Sequence, residues 1–96
     1  MLTIPEIQAA VTKVGKKYGI KSAYLFGSYA KNTANEKSDV DLIVDKGNIH
    51  TYRDFFHFCE ELKNELGTDV DLLTDRSIDH RFFNIIKNDR ILIYGK

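Results

Sequence analysis

Two segments of the chain carry apolar residues at the spacing of an amphipathic helix. In the first, from about Ile4 to Tyr18, apolar positions recur every three or four residues. They are Ile4, Ile7, Val11, Val14 and Tyr18. Thr3 and Glu6 form a capping-box pattern before this stripe, and Gly19 follows it where a helix commonly ends. The pattern predicts a helix that covers one face of a sheet.

The second helical stripe begins after Thr51 and ends at Gly67. Its apolar members are Phe55, Phe58, Cys59, Leu62 and Leu66. Because Cys59 lies within this stripe, we interpret it as a core residue and not as a nucleophile. A third helix is predicted from about Ile78 to Lys87, with Ser77 as its N-cap.

Four shorter apolar segments predict β-strands. They run from Lys21 to Phe26, from about Asp39 to Asp45, from Thr68 to Thr74 and from Ile91 to Tyr94. In the second segment, Val40, Leu42 and Val44 share one face, which we expect to be the buried one. The opposite face carries Asp39, Asp41, Ile43 and Asp45. The 96 residues are expected to form one domain, spanning residues 1–96.

The composition is that of a soluble globular protein, with 43% hydrophobic and 29% charged residues. Fourteen basic and fourteen acidic residues give a formal net charge of zero, which argues against a non-specific nucleic-acid binder. The single cysteine excludes an internal disulfide and fits a reducing compartment. No apolar run approaches the roughly 20 residues that cross a bilayer, so we expect a cytoplasmic protein without a membrane partner.

The candidate chemistry begins at Gly27-Ser28, directly after the first predicted strand. Glycine permits a turn that other residues resist, and it lets a ligand approach the main chain. Ser28 can begin a short helical turn, whose N–H groups and serine hydroxyl favour a phosphate. Taken alone, Gly-Ser is a common turn, and the pair gains meaning from the acidic residues that follow.

Asp39 and Asp41 lie two residues apart on the second predicted strand, so they share one face. The alternative interpretation is an ordinary amphipathic strand with a solvated acidic face. The third strand repeats the pattern with Asp69 and Asp71, and a neighbouring strand about 4.8 Å away would bring one of them close. At a dielectric near 20, two charges about 4 Å apart repel by about 4 kcal/mol. Such a cluster predicts bridging cations, and hard oxygen ligands indicate Mg²⁺ or Mn²⁺.

The sequence from Gly27-Ser28 through ten further residues to Asp39-Val40-Asp41 resembles the GSx10DxD signature of the DNA polymerase β-like nucleotidyltransferase superfamily. The strings Phe26–Lys31 and Ser38–Leu42 are most similar to the minimal nucleotidyltransferase (MNT) group, and the similarity covers nearly the whole chain. It implies an α/β (α+β) fold, a small mixed sheet with helices mainly on one face. One departure is Lys31-Asn32, where the family usually has Arg-Gly. Lysine keeps the positive charge without the bidentate fork of arginine.

The resemblance also implies a set of site residues. The family has a third carboxylate in an apolar Val-Asp-Leu context, which Asp71 matches better than Asp69, so Asp69 is expected only at the edge of the site. The residues expected to be catalytic, and to hold two Mg²⁺ ions with Mn²⁺ as a substitute, are Asp39, Asp41 and Asp71. The residues expected to bind the nucleotide are Gly27, Ser28, Lys31 and Ser38.

The implied reaction is nucleotidyl transfer, in which a hydroxyl attacks the α-phosphate of ATP and pyrophosphate leaves. Because one small domain offers no acceptor-binding lobe, a partner protein is expected to hold the acceptor. The resemblance implies a helical HEPN-domain ribonuclease, paired with this chain as toxin and antitoxin. The implied activity is transfer of AMP to a tyrosine hydroxyl of that toxin. No direct nucleic-acid contact is expected, and a homo-oligomer stays open.

Two other functions stay open from the sequence. A non-catalytic binding module would dock through the sheet edge or through exposed aromatic residues, namely Tyr29, Tyr52 and Phe56. In that case the clustered carboxylates would only add repulsion. The other alternative is an enzyme that modifies a small-molecule hydroxyl, with a homodimer building the missing wall of the site. Metal-dependent nucleotide binding separates either enzyme from the binding module.

Overall fold

The computed structural model describes residues 2–74 and 90–95. Within these residues the helices are α1 (Ile4–Tyr18), α2 (Gly27–Ala30) and α3 (Tyr52–Leu66), and the strands are β1 (Ser22–Phe26), β2 (Val40–Asp45), β3 (Val70–Thr74) and β4 (Ile91–Tyr94). The predicted elements in this part of the chain are confirmed, with β1, β2 and β3 starting one or two residues later than predicted. The helix predicted from Ile78 to Lys87 lies outside the described residues.

The strands form one sheet in the order β3-β2-β1-β4. Strand β1 pairs antiparallel with both β2 and β4, while β2 and β3 are parallel. Parallel neighbours need a crossover connection, and α3 supplies it between β2 and β3. The sheet is therefore mixed, as predicted, and the parallel pair brings corresponding positions of β2 and β3 side by side.

The hydrophobic core lies between one face of the sheet and the helices α1 and α3. The fully buried side chains that the sheet contributes include Ala23, Leu25, Val40, Leu42 and Val44. Helices α1 and α3 add Ile7, Val11, Phe58 and Leu62, all 0% exposed. Burying one such large side chain stabilises the fold by about 1.5–3 kcal/mol. This face of the sheet therefore holds the fold together, and the opposite face is the one that carries Asp41.

Both long helices begin and end at the predicted caps. Thr3 and Glu6 form the capping box of α1, and the Thr51 hydroxyl accepts a hydrogen bond of 3.1 Å from the Asp54 N–H at the start of α3. Gly67, at the end of α3, has a φ of 68°, a left-handed conformation that side chains disfavour. Local sequence signals thus fix where α1 and α3 begin and end.

Helices α1 and α3 are also joined by polar contacts at their surface. The Glu61 carboxylate accepts hydrogen bonds from Lys17 Nζ at 2.7 Å and from the Tyr18 hydroxyl at 2.8 Å. These two donors lower the pKa of Glu61 below its usual value. A second ion pair joins Lys13 to Glu65 at 2.7 Å.

Two predictions about exposure are wrong. Tyr29, predicted to be an exposed aromatic, is only 7% exposed because it anchors α2 against the hydrophobic core. Ile43, predicted on the acidic face, is 1% exposed because it lies in a central strand between Tyr24 and Leu73. Tyr52 and Phe56 are exposed as predicted.

Cys59 is half-buried, and burial raises the pKa of its thiol, so it has the character of a core residue and not of a reactive thiolate. None of the helices in the described segments is long and apolar enough to span a bilayer.

Candidate active site

The register of the parallel strands brings Asp41 and Asp71 together. Asp41 of β2 pairs with Asp71 of β3, one position after the pair formed by Val40 and Val70. Neighbouring residues of paired strands point to the same face, and the strands are about 4.8 Å apart. Asp71 therefore lies beside Asp41, as the resemblance implies, whereas Asp69 precedes β3 and its main-chain oxygen accepts the Val40 N–H at 3.0 Å.

Burial and neighbouring carboxylates raise the pKa of Asp41 from 3.8 to about 6. The largest cause is loss of hydration, followed by the charge of Asp71, a hydrogen bond with the Asp71 carboxyl and the charge of Asp39. Two carboxyl groups this close ionise together only at a cost in free energy. Every one of these causes raises the pKa of Asp41, so its surroundings disfavour the ionised carboxylate.

Gly27 lies directly against the Asp41 carboxylate. It follows β1 with a φ of 74°, in the left-handed region that glycine tolerates best. A Cβ atom at this position would overlap Oδ2 of Asp41 and would lie 3.2 Å from its Cγ. Because Gly27 has no side chain, the Asp41 carboxylate can occupy this space, and the main chain at the end of β1 stays within reach of a ligand.

Ser28 and Lys31 lie on or next to the short helix α2. Ser28 is half-buried, and its main-chain oxygen accepts hydrogen bonds from the N–H of Thr33 at 2.9 Å and from the Thr33 hydroxyl at 3.3 Å. Lys31 is exposed at the C-cap of α2, and Asn32 follows it with a φ of 59°. Asparagine tolerates this left-handed backbone, so the departure from the usual Arg-Gly preserves the turn.

Asp39 lies one residue before β2, and its side chain is exposed. Within residues 2–74 and 90–95, no three Asp, Glu, His or Cys side chains are arranged closely enough to hold a metal ion. The prediction that three carboxylates converge is therefore met only for Asp41 and Asp71, while Asp39 has the smallest effect on the pKa of Asp41. The reason is that strand pairing fixes Asp41 and Asp71, whereas Asp39 belongs to the connecting loop.

The donor atoms at this end of the sheet nevertheless fit a hard divalent cation. Asp41 and Asp71 present carboxylate oxygens, the ligands that Mg²⁺ and Mn²⁺ prefer. The raised pKa of Asp41 reports lost hydration and repulsion from the neighbouring carboxylates, and a bound cation would relieve the repulsion. Asp39 lies two residues from Asp41 and is the third carboxylate available to complete the set.

Sequence reasoning missed the contacts that shape the connection between α2 and β2. The Ser38 hydroxyl, predicted to bind nucleotide, accepts a hydrogen bond of 2.9 Å from the Asn35 N–H. Asn35 and Thr33, neither of which was predicted to belong to the site, make the hydrogen bonds of this loop. An Asn three residues before a Ser is a signal for such a local turn, but it is too common to identify the loop from sequence.

Comparison with known proteins identifies the family. The family described as "Polymerase beta, Nucleotidyltransferase" matches residues 9–96. A putative protein adenylyltransferase of Methanocaldococcus jannaschii is 36% identical over 90 residues, covering 94% of this chain and 97% of the relative. The protein adenylyltransferase MntA of Thermococcus cleftensis is 35% identical over 82 residues, covering 81% of this chain and 83% of the relative.

Solved structures agree with these relatives. The structure of a putative minimal nucleotidyltransferase aligns with a TM-score of 0.79 and 26% identity, covering 94% of this chain and 95% of that one. The structure of a tri-AMPylated Shewanella oneidensis HEPN toxin in complex with MNT antitoxin aligns with a TM-score of 0.72 and 20% identity, covering 98% of this chain and 74% of the matched chain. This chain belongs to the polymerase β nucleotidyltransferase family, as a nucleotidyltransferase of the minimal type.

Proposed function

We propose that this chain is a Mg²⁺-dependent protein adenylyltransferase that acts as an antitoxin, transferring AMP from ATP to a tyrosine hydroxyl of a HEPN-domain toxin. The observation that carries the proposal is the Asp41 carboxylate packed against Gly27 at the end of β1, with Asp71 beside it on β3. Relatives named protein adenylyltransferase supply the acceptor class, and a neighbouring structure of an AMPylated HEPN toxin with its antitoxin supplies the partner class.

In this proposal Asp39, Asp41 and Asp71 would hold the two Mg²⁺ ions. Mg²⁺ bound there would neutralise phosphate charge and lower the pKa of the acceptor hydroxyl. The hydroxyl oxygen forms a bond to the α-phosphorus of ATP, the bond from that phosphorus to the bridging oxygen breaks, and pyrophosphate leaves. The hydroxyl proton passes to the Asp41–Asp71 carboxylate pair, in which Asp41 has the raised pKa.

Residues in and next to α2 would bind the nucleotide. The Ser28 hydroxyl and the Lys31 ammonium, at the two ends of α2, would position the β- and γ-phosphates. Gly27 would let the phosphates approach the main chain, as it lets Asp41 approach in the structure. Lysine contributes a point charge without a fork, so we expect Lys31 to affect the KM for ATP more than kcat.

The decisive experiment compares Asp41→Asn with Asp45→Asn. Asp45 lies on the same strand and face, and its carboxylate accepts the Gly47 N–H at 3.3 Å, a contact that asparagine can keep. Each variant is incubated with ATP labelled on the α-phosphate and a HEPN-domain protein from the same genome. We expect Asp41→Asn to reduce label transfer at least about 100-fold and Asp45→Asn to stay near wild type.

The location of the label distinguishes the alternatives. Mass spectrometry should place AMP on a tyrosine of the HEPN protein. Label on a small hydroxyl compound alone would support the enzyme with a different acceptor. Full transfer by Asp41→Asn would exclude the proposed catalytic role, and a wild-type chain that shows no Mg²⁺-dependent ATP binding by calorimetry would be a binding module instead.

A further inference from the structure

Helix α3 holds two large aromatic side chains in water near its first turn. Within residues 2–74 and 90–95, Tyr52 is 94% exposed and Phe56 is 60% exposed, while the next large hydrophobic residue, Leu92, is 42% exposed. The contribution of α3 to the core comes from other residues, among them Phe58 and Leu62. Exposed aromatic side chains that the core does not use are typical of contacts with another protein.

Both aromatic side chains project from the side of α3 that faces away from α1. At about 100° per residue, Tyr52 and Phe56 lie on one flank of the buried stripe of α3. The opposite flank carries Glu61 and Glu65, which form ion pairs with lysines of α1. The flank with Tyr52 and Phe56 is therefore the one that α1 leaves uncovered.

A groove of about 510 Å³ lies between this flank and strand β3. Tyr52 and Phe55 line it from α3, and Leu72 lines it from β3. Phe55 and Leu72 are half-buried and pack against the hydrophobic core, so the apolar part of the groove is built on fixed side chains. The groove has the size of a pocket that takes one or a few side chains of a partner.

The charge around the groove favours an acidic occupant. The basic residues Lys46 and His50 line it, and no acidic residue is among its described lining residues. The N-terminus of α3, whose cap Thr51 also lines the groove, adds partial positive charge. Two nearby carboxylates are engaged elsewhere, since Asp45 accepts the Gly47 N–H at 3.3 Å and the charge of Asp54 acts on Tyr18, on the α1 side.

The groove lies close to the carboxylates of the candidate active site. Asp71 and Leu72 are consecutive residues of β3, so they point to opposite faces of the sheet. Strand β3 is the outer strand of the four-stranded sheet, and Asp71 is exposed. Asp71 and Thr74, which lines the groove, are three residues or about 10 Å apart along this strand. One partner seated in the groove can therefore reach around β3 to the carboxylates.

We propose that this groove, together with Tyr52 and Phe56, is the docking surface for the acceptor protein, of which it receives an apolar side chain beside an acidic residue. This inference rests on the proposed function, since it names the surface by which the same enzyme holds its acceptor. The two aromatic rings supply the apolar contact area, and Lys46 pairs with the acidic residue. Docking thus sets the KM for the acceptor, while the residues of α2 act on ATP.

Calorimetry with a HEPN-domain protein from the same genome tests the aromatic contacts. We expect Tyr52→Ala and Phe56→Ala each to raise the Kd for this protein at least about tenfold. In AMP transfer, the KM for the HEPN protein should rise by a similar factor, while the KM for ATP and the rate at saturating acceptor are kept. This division distinguishes a docking residue from a residue of the reaction centre.

The charge of the groove is tested by Lys46→Glu and Lys46→Gln. Charge reversal should raise the Kd for the HEPN protein about tenfold, and the neutral variant should raise it less. Wild-type binding should weaken between low and high salt, and this dependence should be smaller in Lys46→Gln. Binding by Lys46→Glu as tight as that of wild type would exclude an acidic occupant.

Leu92→Ala is the matched control. Leu92 is also an exposed large hydrophobic residue, but it lies on β4, at the other end of the strand order β3-β2-β1-β4. This variant should bind the HEPN protein within about twofold of wild type. Urea unfolding of all the variants separates a lost contact from a loss of stability, which should be small for Tyr52→Ala because Tyr52 is exposed.

Several outcomes would overturn the inference. Folded Tyr52→Ala and Phe56→Ala proteins with wild-type affinity for the HEPN protein would contradict it, although AMP transfer by the wild type would still support the proposed function. A wild-type chain that forms dimers by itself, and loses them in Tyr52→Ala, would assign the surface to a second copy. Binding that depends on Tyr52 and Phe56 without any AMP transfer would keep the docking surface and remove the proposed function. A wild-type chain that neither binds nor modifies the HEPN protein would remove both.

Discussion

Two carboxylates, Glu61 and Asp41, show how differently this small protein treats acidic side chains. Glu61 sits between α1 and α3 and receives hydrogen bonds from Lys17 and Tyr18, which lower its pKa. Asp41 sits in the sheet beside Asp71, and burial and negative charge raise its pKa to about 6. The first carboxylate is stabilised by folding, and the second is destabilised by it.

This difference separates the parts of the fold that provide stability from the part that provides chemistry. The surroundings of Glu61 supply donors and charge of the opposite sign, as expected for a contact that joins two helices. The surroundings of Asp41 supply burial and further carboxylates, a combination that is typical of active sites. Gly27 reinforces the contrast, because it lets the main chain press against the Asp41 carboxylate.

The largest effect is expected from Gly27→Ala, with Gly67→Ala as its control. Both glycines have a positive φ, 74° and 68°, so both variants carry backbone strain of about 1–2 kcal/mol. At Gly27 the new Cβ would overlap Asp41, whereas no atom of residues 2–74 and 90–95 lies within 4 Å of a Cβ at Gly67. Gly27→Ala should lose a further 1–3 kcal/mol or so in urea unfolding and reduce AMP transfer about 100-fold.

Gly67→Ala should keep its activity at a temperature where it is folded. Equal losses of stability and activity in the two variants would show that the contact between Gly27 and Asp41 has no special role. The two variants together therefore test whether Gly27 matters for its contact with the Asp41 carboxylate or only for its turn conformation.

The next largest effect is expected from Asp41→Asn in protein treated with a chelator. The pKa of Asp41 is raised in the folded state. Its contribution to the free energy of unfolding therefore falls as pH rises from 3.8 through about 6. Asparagine removes this penalty. Discounted for partial solvent screening, we expect Asp41→Asn to be more stable than wild type by about 1 kcal/mol at pH 8.

The gain from Asp41→Asn should shrink toward pH 4, where the wild-type carboxyl is protonated in the folded state. Urea denaturation at the two pH values measures it. A variant less stable than wild type at pH 8 would mean that the ionised Asp41 is compensated, and the contrast with Glu61 would disappear.

The sequence predicts much of the difference between Glu61 and Asp41, since it predicts the helices and strands on which these residues lie. Capping residues such as Thr3 and Gly19 give the bounds of α1. Two segments with the pattern apolar-Asp-apolar, joined by a predicted helix, suggest neighbouring strands, and Asp71 does lie beside Asp41. These features are local or follow from strand alternation, so the sequence of each segment is enough to predict them.

Features set by packing between distant elements could not be predicted. Tyr29 looks like a surface residue of a short polar helix, but it is drawn into the core beneath α2. The burial of Ile43 depends on its neighbours Tyr24 and Leu73 in two other strands. Asp39 looks like a strand residue by alternation, yet β2 begins at Val40. For Tyr29 and Ile43, a tertiary contact decides what local periodicity leaves open.

A smaller effect of opposite sign is expected from Glu61→Gln. The pKa of Glu61 is lowered in the folded state, so its contribution is present above pH 4.5 and is lost as pH falls through the lowered value. Glu61→Gln should therefore lower the urea midpoint at pH 7 and have little effect near pH 3. AMP transfer should stay at the wild-type level, since Glu61 lies between α1 and α3.

Tyr18→Phe tests how much of that effect comes from one donor. It removes the hydroxyl that bonds Glu61 and keeps the edge-on contact with the Phe58 ring, whose centroid is 5.7 Å away. Its urea midpoint should fall between those of wild type and Glu61→Gln. A pH profile of Glu61→Gln stability parallel to that of Asp41→Asn would contradict the assignment of opposite roles to the two carboxylates.

The smallest effect is expected from Lys13→Met, which breaks the ion pair with Glu65. That pair has the same 2.7 Å separation as the pair of Lys17 with Glu61 and nearly the same side-chain exposure, 71% and 37% against 63% and 35%, but among the described contacts it has no second donor like the Tyr18 hydroxyl. Exposed ion pairs contribute little, so the free energy of unfolding should change by less than about 0.5 kcal/mol. Urea unfolding in low and high salt measures it. A loss as large as that of Glu61→Gln would mean that distance alone decides what an ion pair between α1 and α3 contributes, and that the half-buried Tyr18 donor adds nothing.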